Sequence, residues 1–304
     1  VVIVTAFILS KGRTEDGANP SAFKNIMIIA GTICAIILPE NFSTAFLLFG
    51  VVFLMMYIGH VPLKKLGILV GSLFSVAIVG IAFLIITKDI DVPFMHRFDT
   101  WRTRIEKFVS NEEIAASEFD TDKDGQVAHA RIAVATSHII GKGPGNSVQR
   151  DFLSQAFSDF IFAIVIEELG LLGGAFVVFL YICLLIRVGR IAKRCNRSFP
   201  AFLVIGIGLL LVTQAVFNMM VAVGLAPVTG QPLPLISRGG TSTIINCVYI
   251  GMLLSVSRYT ASIEQEELLR QAEVAPEKSA AVLLAEAVLA ENQAQSAEEP
   301  TSEV

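Results

Sequence analysis

The sequence predicts an all-α protein that crosses a membrane several times. Apolar residues make up 54% of the 304-residue chain, a fraction that soluble proteins also approach. Their arrangement is more informative, because they recur in runs of roughly 17–25 residues, which suit a bilayer and exceed what a soluble core needs. The net charge of −4 gives no indication of binding to nucleic acid. We therefore expect a polytopic helical membrane protein with no nucleic-acid partner.

Seven apolar segments follow one another along the chain, and we expect each to form a helix. The chain starts inside the first segment and without an initiator Met, so we expect an N-terminal part to be missing. The second segment is short for a span and stops at Pro39, before the polar residues Glu40 and Asn41. The segments are roughly 1–10, 24–39, 43–61, 66–87, 159–187, 200–222 and 241–258.

Basic residues in short loops predict the orientation of these segments, because such loops stay on the cytoplasmic side. They follow the first, third, fifth and seventh segments, so the connections alternate between the two sides of the membrane. We place the connections 39–43, 88–158 and 223–240 on the extracytoplasmic side. The basic residues are Lys11, Arg13, Lys24, Lys64, Lys65, Arg187, Arg190, Lys193, Arg194, Arg197 and Arg258.

The chain divides into a membrane domain, 1–258, and a cytoplasmic tail, 259–304. From Thr260 the tail is rich in Ala and Glu, and its basic residues are Arg270 and Lys278. Such a composition is typical of a segment that is disordered or partly helical, around 263–273 and 279–291. We assign the tail no catalytic role.

The large extracytoplasmic loop, 88–158, begins with a segment, 96–108, in which basic and aromatic residues alternate. Two interpretations stay open for Arg97, Arg102 and Arg104. They can anchor an amphipathic stretch at the surface of the membrane, or their planar guanidinium groups can bind phosphate or pyrophosphate.

A glycine-rich turn lies later in this loop, at Gly141, Gly143 and Gly145, and is followed by Ser147 and Gln149. Backbone N–H groups in such turns can bind anions. The Lys-Ser/Thr pair of a nucleotide-binding P-loop is missing, however. We interpret the glycines, taken alone, as a structural turn.

Three acidic residues accompany the start of the fifth segment. Asp159 follows Ser158, so it is either a helix-start residue beside an N-cap or a general base at the outer membrane face. Glu167 and Glu168 lie about two turns further along the helix, in an apolar run where a charge costs roughly 3 kcal/mol or more. We expect both glutamates to pair with buried groups of other helices and to support the structure.

Proline and glycine interrupt helical structure in the connection 223–240, which is otherwise apolar. Irregular backbone at membrane depth must pack in protein or line a cavity, so we predict a re-entrant loop beside a cavity. Its end offers the positive charge of Arg238, and Thr241 and Ser242 follow with hydroxyl groups.

Three motifs, in order, resemble the FtsW/RodA/SpoVE (SEDS) family. GKGPGNSVQ resembles its G-x-G-x-G-x-S-x-Q segment, SDFIFAIVIEELG its TDFIFAVIGEELG, and GLAPVTGQPLPLISRGGTS its GLLPVTGLPLPFISYGGSS. The resemblance covers roughly 1–258 and implies a ten-helix membrane protein, of which the seven segments here are the last seven. Two features depart from the family: its Pro-Glu-x-His-Thr reads Ser-Gln-Ala-Phe-Ser at 154–158, and Arg238 stands where Tyr is usual.

The resemblance implies a peptidoglycan glycosyltransferase that polymerises lipid II. Asp159 matches the family's essential aspartate, which deprotonates the sugar hydroxyl that attacks the lipid-linked glycan as undecaprenyl pyrophosphate leaves. Arg97, Arg102 and Arg104, with a divalent cation (Mg or Mn), would balance the charge of the pyrophosphate, and no organic cofactor is expected. The residues expected to contact substrate are these arginines with Ser147, Gln149, Arg238, Thr241 and Ser242, and those expected to support the site are Glu167, Glu168, Gly143, Gly145, Gly239 and Gly240.

The resemblance also implies partners and a location. The substrates are lipid II and the undecaprenyl-pyrophosphate-linked glycan, and the protein partners are a class B penicillin-binding transpeptidase and other divisome membrane proteins. The segments GPGNSVQ and SRGGTS resemble the division branch of the family most. This branch implies a location in the bacterial plasma membrane at the septum, and the C-terminus is expected to be cytoplasmic. Two other functions stay open, a lipid II flippase or transporter and a scaffold without catalysis.

Overall fold

A computed structural model of the protein describes residues 1–11, 19, 21–86, 124–153 and 156–298. Within these ranges every regular element is a helix, so the predicted all-α fold class is confirmed. Each of the seven predicted apolar segments coincides with a helix, and α5 is an additional helix inside the predicted loop 88–158. The α-helices are α1 (Val2–Ser10), α2 (Ala22–Ile37), α3 (Phe42–Ile58), α4 (Leu63–Ile86), α5 (Asp124–Ala135), α6 (Ile161–Arg194), α7 (Ser198–Ala222) and α8 (Gly240–Glu298), and a short 3₁₀ helix spans Gln149–Phe152.

Several of the helices have the length and the composition of membrane spans. By these criteria α6, α7 and the Gly240–Arg270 part of α8 are long and apolar enough to cross a membrane. The helices α2 and α3 are also apolar but have only 16 and 17 residues. Along α6, Leu172 and Phe176 are exposed to 62% and 60%, which suits contact with lipid. The chain is therefore a multi-pass membrane protein.

Helix α7 lies at the centre of the described bundle, because it packs against α1, α3 and α6. Two glycines allow this close packing. A Cβ atom at Gly206 would lie 2.7 Å from atoms of Val2 and Met55, and one at Gly208 would lie 2.6 Å from Val188. Small residues let helix backbones approach one another in membranes, where van der Waals packing drives association. Helix α7 is thereby held on three sides.

Helix α6 is interrupted one third of the way along its length. The segment was expected to be one continuous helix from 159, but it begins at Ile161, and Gly170 has φ 74° and ψ −172°. A positive φ of this kind favours glycine, which has no Cβ. The chain 138–143 lies against the break. The N–H groups of Leu171 and Leu172 donate to the carbonyls of His138 and Ile139 at 3.2 and 3.3 Å, so polar groups at the break are satisfied inside the protein.

The chain forms two compact units, Val1–Leu254 and Ser255–Val304. In the first unit, α8 begins at Gly240, directly after the irregular connection from Val223. In the second unit, the backbone is helical as far as Glu298. The helix thus covers both stretches of the tail that were expected to be helical and the residues between them.

Candidate functional site

Asp159 lies in a turn that precedes α6. The helix begins at Ile161 with Phe160 as its N-cap residue, and no side chain caps it. The interpretation of Ser158 as an N-cap, with Asp159 in the first helical turn, is therefore wrong. Instead the Ser158 hydroxyl donates to Asp159 Oδ1 at 2.9 Å, and the side chain of Asp159 is half-buried.

Three consecutive backbone carbonyls hold this turn to another part of the chain. The carbonyl of Phe157 accepts from the N–H of Arg238 at 2.8 Å. The carbonyl of Ser158 accepts from Ser237 Oγ at 2.6 Å, and that of Asp159 accepts from Asn218 Nδ2 at 2.8 Å. The position of Asp159 thus depends on α7 and on the connection that follows it, which we call the α7–α8 loop (223–239).

The α7–α8 loop is irregular, and side chains of α6 and α7 satisfy its backbone. Asn218 Nδ2 donates to the carbonyl of Gln231 at 2.7 Å, and Gln214 Nε2 donates to that of Pro232 at 3.2 Å. The Tyr181 hydroxyl donates to the carbonyl of Pro234. Irregular backbone packed in protein in this way matches the re-entrant loop that was expected.

The same loop approaches the carboxyl group of Asp159. Gly230 has a φ of 68°, and a Cβ atom placed on it would lie 3.7 Å from Asp159 Oδ2. The two oxygens of the carboxyl group therefore have different surroundings, since Oδ1 accepts from Ser158. Oδ2 is thus the oxygen of the carboxyl group that lies toward the α7–α8 loop.

The end of the α7–α8 loop carries several residues that were expected to contact substrate. Arg238 is bound through its backbone while its side chain is exposed, and Thr241 is exposed as well. Ser242 Oγ donates to the carbonyl of Gly239 at 3.2 Å, and nothing lies within 4 Å of a Cβ atom built on Gly240. The structure brings the backbone of Arg238 to the Asp159 turn, and the roles of all these side chains toward substrate stay predictions.

Glu167 is fully buried, with 0% exposure, and accepts several hydrogen bonds. Lys142 Nζ donates to Oε1 at 2.6 Å, and Ser147 Oγ donates to Oε2 at 2.5 Å. The N–H groups of Val148 and Gln149 add two longer contacts at 3.3 Å. The partners of Glu167 were expected on other helices, but they come from the loop that precedes α6. Glu168 is half-buried, and its carbonyl accepts from the N–H of Gly143 at 2.8 Å.

The glycine-rich segment forms the tight turn that was expected. Gly141, Gly143 and Gly145 have φ angles of 75°, 93° and 81°. A Cβ atom at Gly141 would lie 2.3 Å from the backbone nitrogen of Gly170, so two glycines meet where the turn crosses α6. No larger residue fits at this crossing without moving the backbone.

Ser147 and Gln149, both expected to contact substrate, make contacts within the protein. The Ser147 side chain is 4% exposed, and its hydroxyl also accepts from the N–H of Arg150 at 3.1 Å. Gln149 Oε1 lies 2.7 Å from Nδ1 of His129, whose ring stacks on Phe152. Both side chains are therefore part of the support of the loop, and a contact with substrate stays a prediction.

Arg97, Arg102 and Arg104 lie outside the described residues. Among the residues that are described, no group of three or more His, Cys, Asp or Glu side chains could hold a metal ion. A divalent cation at the site stays a prediction.

Three residues of this region were not identified from the sequence as part of the site: Asn218, Ser237 and Lys142. A signal was present for Asn218, because Gln214 and Asn218 are two amides four residues apart in an otherwise apolar helix. Polar groups inside a membrane helix are costly unless they are bonded, and they are therefore candidates for function. No sequence signal pairs Lys142 with Glu167, because the bond depends on how the loop folds back.

Comparison with known proteins gives a match to the family FtsW/RodA/SpoVE, described as cell cycle protein, over residues 1–262. The probable peptidoglycan glycosyltransferase FtsW of Thioalkalivibrio sulfidiphilus is 30% identical over 263 residues, 84% of this chain and 60% of that protein. The protein of the same name from Coxiella burnetii is 30% identical over 264 residues, 85% of this chain and 66% of that protein. The chain thus spans less than two thirds of the length of these relatives.

The fold also resembles a solved structure. A chain from a peptidoglycan synthase complex, studied for the structural coordination of polymerization and crosslinking, superimposes with a TM-score of 0.63. The match covers 85% of this chain and 68% of that one, at 22% sequence identity. At this identity the likeness concerns the fold.

Proposed function

We propose that this chain, which belongs to the FtsW/RodA/SpoVE family of cell cycle proteins, carries the active site of a peptidoglycan glycosyltransferase that polymerises lipid II. The names of its relatives in Thioalkalivibrio sulfidiphilus and Coxiella burnetii support this activity. The observation that carries the proposal is the geometry of Asp159. Its carboxyl group is half-buried beside Gly230, on a turn that three hydrogen bonds to consecutive carbonyls hold in place. A base in fixed geometry is what proton abstraction from a sugar hydroxyl needs.

In the proposed reaction, Asp159 accepts the proton of the attacking hydroxyl group on the sugar of lipid II. The oxygen of that hydroxyl group forms a bond with the anomeric carbon of the lipid-linked glycan. The bond between this carbon and the pyrophosphate oxygen breaks, and undecaprenyl pyrophosphate leaves with the electron pair. Because Oδ1 accepts from Ser158 at 2.9 Å, we assign the proton transfer to Oδ2, which lies toward Gly230.

The negative charge of the leaving pyrophosphate needs cationic groups close by. Arg238 is our candidate within the described residues, because its backbone is bound to the Asp159 turn and its side chain is exposed. Arg97, Arg102 and Arg104 are further candidates. A divalent cation that takes part would need ligands other than a cluster of the described acidic, His and Cys residues.

We place the enzyme in the bacterial plasma membrane at the division septum, with lipid II as its substrate and a class B penicillin-binding transpeptidase as its partner. The name FtsW of its relatives supports the division branch. The alternation of basic loops supports an extracytoplasmic Asp159 and a cytoplasmic C-terminus. A partner that crosslinks is supported by the similar fold in a synthase complex that coordinates polymerization and crosslinking.

The test is polymerisation of purified lipid II by the full-length protein together with its transpeptidase. We expect Asp159→Asn to lower the rate of glycan synthesis at least about 100-fold, because general base catalysis contributes roughly 10²–10⁴-fold. Asp151→Asn is a matched control, since the side chain of Asp151 is 74% exposed and bonded only to the neighbouring Arg150 among the contacts seen here. Its rate should stay within about twofold of the wild type, as for most surface substitutions.

Unchanged synthesis by Asp159→Asn would rule out the assignment of Asp159 as the base. If the wild-type protein makes no polymer but moves lipid II across the membrane of a vesicle, a flippase replaces the glycosyltransferase. If it does neither and still recruits the transpeptidase, a scaffold is the better interpretation.

A further inference from the structure

We propose that Asn218 is a positioning residue that holds the catalytic base in place, an inference that rests on the proposed function of Asp159. Asn218 lies in α7 and is 1% exposed. Its Nδ2 group donates to the carbonyl of Asp159 at 2.8 Å and to the carbonyl of Gln231 at 2.7 Å. Because a side-chain amide has two N–H donors, one group joins the Asp159 turn to the α7–α8 loop.

Asn218 is also the middle of a longer chain of hydrogen bonds. Beyond the carbonyl of Gln231, the side chain of Gln231 donates from Nε2 to Thr44 Oγ1 at 2.8 Å. Thr44 lies in the first turn of α3, and its N–H donates to the side chain of Asn41, which caps that helix, at 3.0 Å. The Asp159 turn is thereby connected to α7 through the buried amide of Asn218, and to α3 through the side chain of Gln231 as well.

The amide oxygen of Asn218 accepts no hydrogen bond from the part of the chain that the structure describes, which indicates that the N–H groups are the part of the side chain that matters for the site. Among the described residues, Asn218 Oδ1 is the buried side-chain polar atom that has no hydrogen-bond partner. A buried acceptor without a donor lowers stability. The two N–H groups are therefore the part of the side chain that the fold uses, and both bond to carbonyls of the site.

The turn that carries Asp159 has little other support from regular structure. It precedes α6, and no side chain caps the first turn of that helix. Loss of the Asn218 bonds would leave the bonds from Ser237 and Arg238, which both come from the α7–α8 loop. A displacement of about 1 Å can cost roughly 100-fold in rate, so a shift of the turn would lower the rate of proton transfer more than the binding of substrate.

The experiment compares Asn218→Leu with Gln214→Leu in the full-length protein, with lipid II as substrate and with kcat and KM measured separately. Gln214 is four residues earlier on α7, and its amide also donates to the α7–α8 loop, at the carbonyl of Pro232, without touching the Asp159 turn. We expect Asn218→Leu to lower kcat at least tenfold with KM within threefold of the wild type. Gln214→Leu should keep kcat within threefold.

Ser237→Ala provides a second, smaller change at the same contact, for the case in which Asn218→Leu does not fold. It removes the donor to the carbonyl of Ser158 and the acceptor of the N–H of Leu233 within the α7–α8 loop, and we expect a fall in kcat of about threefold to tenfold with an unchanged KM. The inference is overturned if folded Asn218→Leu keeps the wild-type kcat, or if Ser237→Ala does so when Asn218→Leu does not fold. Equal losses in Asn218→Leu and Gln214→Leu would also overturn it, since they would indicate general support of the loop.

Asp159→Asn in the same assay separates this inference from the proposed function. If Asp159→Asn is inactive while Asn218→Leu is fully active, only the positioning role of Asn218 is wrong. If Asp159→Asn is as active as the wild type, the proposed function is wrong and the positioning role falls with it.

Discussion

Glu167 shows how a buried charge is accommodated at the scale of one residue. Its carboxyl group is fully buried and accepts from Lys142 and Ser147 at 2.6 and 2.5 Å. Only the carboxyl group is fully buried, since the side chain of Lys142 is 30% exposed, so removal of Glu167 is costly mainly because buried donors lose their acceptor. The carboxyl group of Glu167 therefore fixes the position of the loop before α6. A substitution of Glu167 should change the packing of this loop against the helix.

We predict that Glu167→Ala lowers the stability of the protein by roughly 1–3 kcal/mol, because the buried hydroxyl of Ser147 loses its acceptor and the partly exposed Lys142 loses its counter-charge. Glu168→Ala, at the neighbouring half-buried position, should cost less than about 1 kcal/mol. Thermal unfolding in detergent, followed by the loss of monodisperse protein, measures both. The double variant Lys142→Met/Glu167→Met should recover part of the loss, and equal losses for Glu167→Ala and Glu168→Ala would contradict the prediction.

The break in α6 is the feature that matters most at the scale of elements. Gly170 takes a positive φ of 74°, and a Cβ atom there would lie 2.3 Å from the carbonyl oxygen of Ile139. The glycine-rich turn meets the break at Gly141, whose Cβ position is occupied in turn by the backbone of Gly170. The loop and the helix are thus interlocked through two glycines. The chain that runs from Gly141 to Asp159 is held at its start by this crossing and at its end by the bonds from Asn218 and Ser237.

We predict that Gly170→Ala destabilises the protein by about 2 kcal/mol or more, because the side chain is strained at this φ and collides with backbone. Gly189→Ala, in the same helix with nothing within 4 Å of the added Cβ atom, should be neutral or stabilising by roughly 0.5–1 kcal/mol. Limited proteolysis in the loop 137–153 and the melting temperature report both effects. Equal melting temperatures and equal proteolysis of the two variants would contradict the prediction that the break in α6 requires a glycine at position 170.

At the scale of the whole molecule, α7 organises the described bundle by packing against α1, α3 and α6. It also contributes Asn218 and Gln214, whose amides bond to the α7–α8 loop. One helix therefore connects the packed interior of the membrane domain to the turn with Asp159. The predicted orientation places this end of the bundle outside the cell, where the proposed glycosyl transfer would need its base.

We predict that the loop before α6 and the connection between α6 and α7 lie on opposite sides of the membrane. Asn146 and Asn196 are exposed asparagines in these two places, so Asn146→Cys and Asn196→Cys form a matched pair in a protein whose four native cysteines are replaced. A membrane-impermeant maleimide should label Asn146→Cys in intact spheroplasts and Asn196→Cys only after permeabilisation. The reverse pattern would invert the topology and remove Asp159 from the external face.

Local sequence patterns alone predict the elements. Hydrophobic length predicted helices that coincide with α1–α4 and α6–α8, because the apolar thickness of a bilayer sets how long a run must be. Glycine and proline predicted the turn at 141–145 and the irregular backbone of the α7–α8 loop, since both residues act on local dihedral angles. Asp159 was identified as the candidate base from the residues and the family resemblance together.

Which groups meet depends on how the helices and loops pack together. The bonds of Lys142 to Glu167 and of Asn218 to the carbonyl of Asp159 join residues 25 and 59 positions apart, and no local pattern encodes such a contact. The start of α6 at Ile161 instead of 159 has the same origin, because bonds from Ser237 and Arg238 hold the preceding carbonyls outside the helix. Local propensities set each element, while the requirement that buried polar groups find partners set how the elements fit around Asp159.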